Sequence, residues 1–139
     1  MSVVALDPGN STGWVFRNDV GQLTGGTIGE SHVLLFDLLT SLRPNIVVYE
    51  TFQMYPGKAQ KLIWNTFYPC EVIGVIKLYA YGNRCKLVGL QPSVKKYALT
   101  ASEEDLWKRI PILYPDATPT EHFRDAIRLI RYYERNMKN

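Results

Sequence analysis

The sequence predicts an α/β protein: a mixed five-stranded sheet, three strands antiparallel and the rest added by parallel crossovers, flanked by helices. Two short apolar runs carry much of that expectation. Ser2 to Leu6 runs into Asp7, and Asn45 to Tyr49 runs into Glu50. A stretch of helical periodicity separates them, so the second run should return parallel to the first. Turn-forming clusters directly after the first run leave room only for short antiparallel strands.

Taken in order, Asp7-Pro8-Gly9 reverses the chain out of the first strand, and Gly13 to Arg17 reads as the second. Asn18-Asp19-Val20-Gly21 is a hairpin-type turn, and Gln22 to Ile28 is a third strand weakened by glycine. From Ser31, residues Val33, Leu34, Leu35, Leu38, Leu39 and Leu42 fall at helical spacing until Arg43-Pro44 stops them. Thr51 to Gln60 reads as a loop. Ala59 to about Tyr81 is a long apolar helical pattern, bent or split at Pro69, in which Gly74 suggests close backbone packing; its apolar excess on several faces, Val72 and Val75 included, suggests a homodimer built around it. Arg84 to Leu90 is the fifth strand, and Gln91-Pro92-Ser93 opens a short basic helix with Lys95 and Lys96. Ser102, with Asp105 three residues on, caps a brief helix ending near Ile110. Pro111 to Pro119 is an irregular connector.

The chain of 139 residues, read as one domain over 1–139, is long enough for its own core. Its composition, 46% hydrophobic and 21% charged, is that of a globular protein. No apolar run reaches membrane-span length, and no signal-peptide pattern opens the chain. Cys70 and Cys85 have no metal-ligand spacing, and two free thiols fit a reducing cytoplasm. A net charge of +3 permits a polyanionic partner without requiring one.

Thr118-Pro119-Thr120-Glu121 is a capping box with proline at the first helical position, which places the start of the last helix. Phe123, Ala126, Ile127, Leu129, Ile130 and Tyr133 fill one apolar arc, with His122 inside it and Asp125 at its edge. Each polar residue has an ordinary explanation. Asp7 could cap its own turn, His122 could be a core histidine, and Asp125 could partner His122 or Arg128. Together they read differently. Asp7 and Glu50 should end side by side at one sheet edge, under a helix bearing His122 and Asp125. Such a group repels itself unless a hard cation bridges it, and oxygen ligands with one imidazole suit Mg²⁺ or Mn²⁺. Two ions ~4 Å apart would activate water and stabilise the leaving oxygen of a phosphodiester.

Asp7-Pro8-Gly9, Thr12-Gly13-Trp14, a strand-ending Glu50, and His122-Phe123-Arg124-Asp125 on the last helix resemble the RuvC-type Holliday junction resolvases over nearly the whole chain. The resemblance implies a ribonuclease H-like fold, a homodimer, and paired cuts in branched DNA that leave ligatable ends. It makes Asp7, Glu50 and Asp125 metal ligands, and puts His122 where the family carries His or Asp. It also implies a cytoplasmic setting, in bacteria or in phage-infected cells, for a chain as short as the compact versions in viruses of bacteria.

Besides being shorter than typical bacterial members, the chain departs from the family in two places. Thr100 to Glu104 stands where a Gly-x-Gly-Ala-x-Lys segment is expected. Phe52, Met54 and Tyr55 occupy the place of an aromatic wedge at altered spacing. A broader nuclease for forks and flaps therefore stays open beside a strict junction resolvase. DNA contacts are expected from Phe52, Met54 and Tyr55, from Lys58, Lys61, Lys95 and Lys96, and from Arg124 and Arg128. Arg131 and Arg135 share the arginine face of the last helix, and that face could equally be solvated and balanced by Glu121 and Glu134. Two further classes remain. An actin-like or sugar-kinase ATPase shares the Asp-x-Gly turn but needs a second domain. A non-catalytic nucleic-acid-binding module would not need the complete acidic set.

Overall fold

The computed structural model describes residues 1–51, 68–93 and 121–137. Its elements are β1 (Val3–Asp7), β2 (Thr12–Arg17), β3 (Leu23–Ile28), α1 (His32–Leu42), β4 (Ile46–Glu50), α2 (Tyr68–Asn83), β5 (Lys86–Leu90) and α3 (Glu121–Asn136). The five strands form one sheet in the order β3-β2-β1-β4-β5. β1, β2 and β3 pair antiparallel, while β4 adds parallel to β1 and β5 parallel to β4. This is the expected sheet. No helix among the described residues is long and apolar enough to cross a membrane.

Local chemistry sets each connection. At the β2–β3 hairpin the Asn18 side chain accepts from the backbone of Val20 and Gln22 at 3.1 and 2.8 Å, and Gly21 adopts φ 87°. Ser31 caps α1 by accepting from the Leu34 N–H at 3.1 Å. Arg43 closes the helix in the left-handed region, its N–H donating to the Leu39 carbonyl at 3.0 Å. The β1–β4 register is pinned by a polar lock. The Ser2 N–H and hydroxyl both donate to Asn45 Oδ1 at 2.9 Å, and the Asn45 N–H donates to Ser2 Oγ at 3.0 Å.

The period-2 alternation of the strands divides the core between the two faces of the sheet. Val3, Ala5, Val15, Ile46, Val48, Val88 and Leu90 face α3 and bury its arc of Phe123, Ala126, Ile127, Leu129, Ile130 and Tyr133. Val4, Leu6, Trp14, Val47 and Tyr49 face the other way, against Leu35 and Leu39 of α1 and Val72, Ile76 and Tyr79 of α2. An ion pair between Arg17 and Glu134, at 2.7 Å and largely buried, ties β2 to the far end of α3.

The helix expected from Ala59 is described only from Tyr68, so its earlier part, on which a bend or split at Pro69 depends, lies outside the described residues. Two other expectations about this helix change. Val72 is 1% exposed and belongs to the core of its own sheet, which removes it from any surface available to a second copy. Gly74 is exposed, and among the described residues nothing lies within 4 Å of an added Cβ, so no close packing there explains it. Gly74→Ala should therefore stabilise the protein by about 0.5–1 kcal/mol through helix propensity and a less disordered unfolded chain, read as a higher melting temperature. Both cysteines are free, Cys70 on the surface and Cys85 half-buried with its thiol donating to the Pro44 carbonyl at 3.1 Å. Burial pushes the Cys85 thiol up, away from the reactive thiolate.

Candidate active site

The parallel register of β1 and β4 sets Leu6 beside Tyr49, so one residue further Asp7 ends beside Glu50 at the same sheet edge. By alternation both side chains belong to the face that α3 covers, in step with Ala5 and Val48. Asp7 is 1% exposed. A carboxylate this deep requires a partner, and one is present: His122 Nδ1 lies 2.9 Å from Asp7 Oδ2. Opposite a carboxylate that only accepts, Nδ1 is the donor, and in a neutral ring Nε2 then holds the lone pair. The His122 side chain is 38% exposed, more open than its place in the apolar arc suggested. It sits in the first turn of α3, over the sheet edge rather than over the core.

Glycines bring the helix this close. A Cβ on Gly13, the β2 residue paired with Asp7, would fall inside the His122 carbonyl and the Phe123 nitrogen. A Cβ on Gly25 would collide with the Phe123 ring. A Cβ on Gly9, in the Asp-Pro-Gly turn, would lie 3.0 Å from His122 Cε1, so the turn supplies the floor under the imidazole. These positions are functional residues in the sense that they set the geometry of others, and sequence reading had marked Gly25 only as a weakness in a strand.

Asp125 is buried, 6% exposed, one turn further along α3. Arg128 Nη1 donates to its Oδ1 at 2.6 Å. The Arg128 partnership considered among the ordinary explanations is thus real. Among the described residues, no group of three or more His, Cys, Asp or Glu side chains is gathered closely enough to hold a metal ion as it stands. The donor chemistry nonetheless fits a hard divalent cation: two deeply buried carboxylates, a third at the adjoining strand end with one oxygen buried, and an imidazole on the open side. Phe52, Met54, Tyr55, Lys58, Lys61, Lys95 and Lys96, with the segment Thr100 to Glu104, lie outside the described residues. Arg124 and Arg128 are both half-buried on α3, beside the site.

A mixed sheet of this strand order, with α3 laid over the end of β1, is the ribonuclease H-like fold in the form that the RuvC-type resolvases share. Three of the solved structures similar to the chain are resolvases by name. RuvC of Thermus thermophilus, in complex with a Holliday junction substrate, aligns with a TM-score of 0.65 at 18% identity, over 97% of this chain and 95% of that one. The fowlpox virus resolvase, also solved with Holliday junction DNA, aligns with 0.54 at 12% identity, over 99% and 100%. The yeast mitochondrial Holliday junction resolvase aligns with 0.52 at 14% identity, over 91% and 72%. No protein-family profile matches the sequence, and no curated protein matches it. The likeness is therefore one of fold.

Proposed function

We propose that this chain is a Mg²⁺- or Mn²⁺-dependent endonuclease that cuts branched DNA, resolving four-way junctions by paired phosphodiester hydrolysis. The observation that carries the reading is the pairing of buried Asp7 with the half-open His122, held by α3 against the end of β1 and beside the end of β4, in a fold shared with resolvases. Asp7, Glu50, His122 and Asp125 are the residues that would hold two ions, which would supply Lewis-acid stabilisation of the leaving oxygen and activate the attacking water.

The protein's own groups do the rest. Asp7 fixes the imidazole by accepting from Nδ1, which leaves Nε2 as the atom to ligate or to take a proton from the attacking water. Arg124, Arg128 and the lysines beyond β4 and β5 grip phosphates on either side of the cut. Phe52, Met54 and Tyr55 are suited to stacking on bases opened at the branch point. His122→Ala should lose about 100-fold in cleavage rate, the scale of a lost general base. His122→Asp should retain more, because a carboxylate can do the same work. Equal activity of both variants and wild type would make His122 a core residue only.

A junction is two-fold symmetric, and two opposed cuts need two sites related by that symmetry, so the working form is a homodimer. With Val72 in the core, an apolar surface left to a second copy among the described residues is the outer side of α1 and α2. Val33, Phe36 and Leu78 are 70, 40 and 66% exposed there. Sedimentation should give about twice the chain mass of 15.9 kDa, and Leu78→Glu should shift it towards monomer.

The deciding experiment is a cleavage panel of four-way junctions, forks, flaps and linear duplex with each ion. Symmetric paired incisions confined to junctions support the resolvase. Cuts spread over forks and flaps support the broader nuclease. No cleavage with either ion, together with binding of a nucleotide, would overturn both.

A further inference from the structure

We propose that Arg128 guards Asp125: its guanidinium occupies the carboxylate until a DNA phosphate draws it away, so that the substrate itself completes the metal site. The inference rests on reading Asp125 as a metal ligand. The contact is short, 2.6 Å from Nη1 to Oδ1, with the Asp125 side chain 8% and the Arg128 side chain 21% exposed. Residues three apart on one helix hold this geometry without distortion. A guanidinium and a divalent cation compete for the same lone pairs and repel each other.

Arginine stays charged at any working pH, so protonation cannot release the pair. A buried pair broken on one side leaves an uncompensated charge, which is strongly unfavourable. It opens readily only if both members find new partners together. The DNA offers a phosphate, for which a planar guanidinium is well matched, and the ion takes the carboxylate. Metal and DNA then favour each other's binding by the same factor, as linkage requires. Arg128 is the more exposed member and the longer side chain, so it can make that exchange, whereas Asp125 is buried on the core-facing side of α3. Arg128 is in this sense a positioning residue for the metal site as well as a phosphate contact.

The test is a Mn²⁺ titration of the full chain followed by electron paramagnetic resonance. It is run without DNA and again on ice with a four-way junction whose strands are checked to be intact. Without DNA, Arg128→Gln should bind Mn²⁺ about tenfold more tightly than wild type, equivalent to about 1.4 kcal/mol. The junction should raise Mn²⁺ affinity less in this variant than in wild type, by about the same factor. Arg128→Lys, which keeps a cation over the buried carboxylate but loses the fork, should gain about threefold. Arg131→Gln removes the same charge one turn away and should change affinity less than twofold. Wild-type affinity in both Arg128 variants, or an equal gain in Arg131→Gln, would overturn the guard. Asp125→Asn separates the two levels of the argument. If it binds Mn²⁺ like wild type, Asp125 is no ligand and the reading of the site fails. If it loses Mn²⁺ while the Arg128 variants do not change, only the guard fails.

Discussion

Asp7→Asn is expected to lower cleavage by about a thousandfold or more while branched DNA still binds. The substitution is close to isosteric, and an asparagine carbonyl can still accept from His122 Nδ1, so the ring and the fold should stay in place. What disappears is one negative charge at a site 1% exposed, where the field of a carboxylate on a cation is least screened. Glu50→Gln and Asp125→Asn should follow the same pattern, since each carboxylate neutralises cation charge and none contacts a phosphate. Binding can even tighten, because a negative charge near a polyanion is gone. Single-turnover cleavage alongside fluorescence anisotropy on the same junction separates the two effects. Full activity of any one variant with Mg²⁺ present would remove that residue from the metal site.

Gly13→Ala is expected to destabilise the protein by about 3 kcal/mol, the upper range for overpacking, and to take the activity with it. An added methyl at this point meets the His122 carbonyl and the Phe123 nitrogen, which are backbone atoms of α3 and cannot rotate aside. The helix must lift from β2, and lifting it draws His122 from Asp7 and Phe123 from its place in the core, where it is 0% exposed. Gly74→Ala is the natural control, the same chemical change in open space with the opposite expected sign. Chemical denaturation of both variants measures the contrast. A Gly13→Ala protein as stable as wild type would mean that α3 docks with slack, and that the closeness of His122 to Asp7 does not depend on the missing side chain.

The strand ends were legible because the pattern along the chain is short-range. An apolar run that stops at Asp7 or Glu50 declares a buried strand and its edge, and the helical spacing from Val33 to Leu42 forces the parallel return that sets those edges together. The apolar arc of the last helix was readable for the same reason, since 3.6-residue periodicity names the face that must be covered. Residues three apart on that helix also made an Asp125–Arg128 pair possible in advance, but only as one option among several. Which option holds depends on depth: Asp125 is buried and His122 open, and depth belongs to the way α3 lies on the sheet. That lie is decided by Gly13 and Gly25 meeting the backbone and ring of His122 and Phe123, a contact between segments more than a hundred and nearly a hundred residues apart. Val72 shows the same division. Its apolar character was plain, but whether it met its own sheet or a second copy turned on the rotation of α2 about its axis, which neighbours in space set and neighbours in sequence do not.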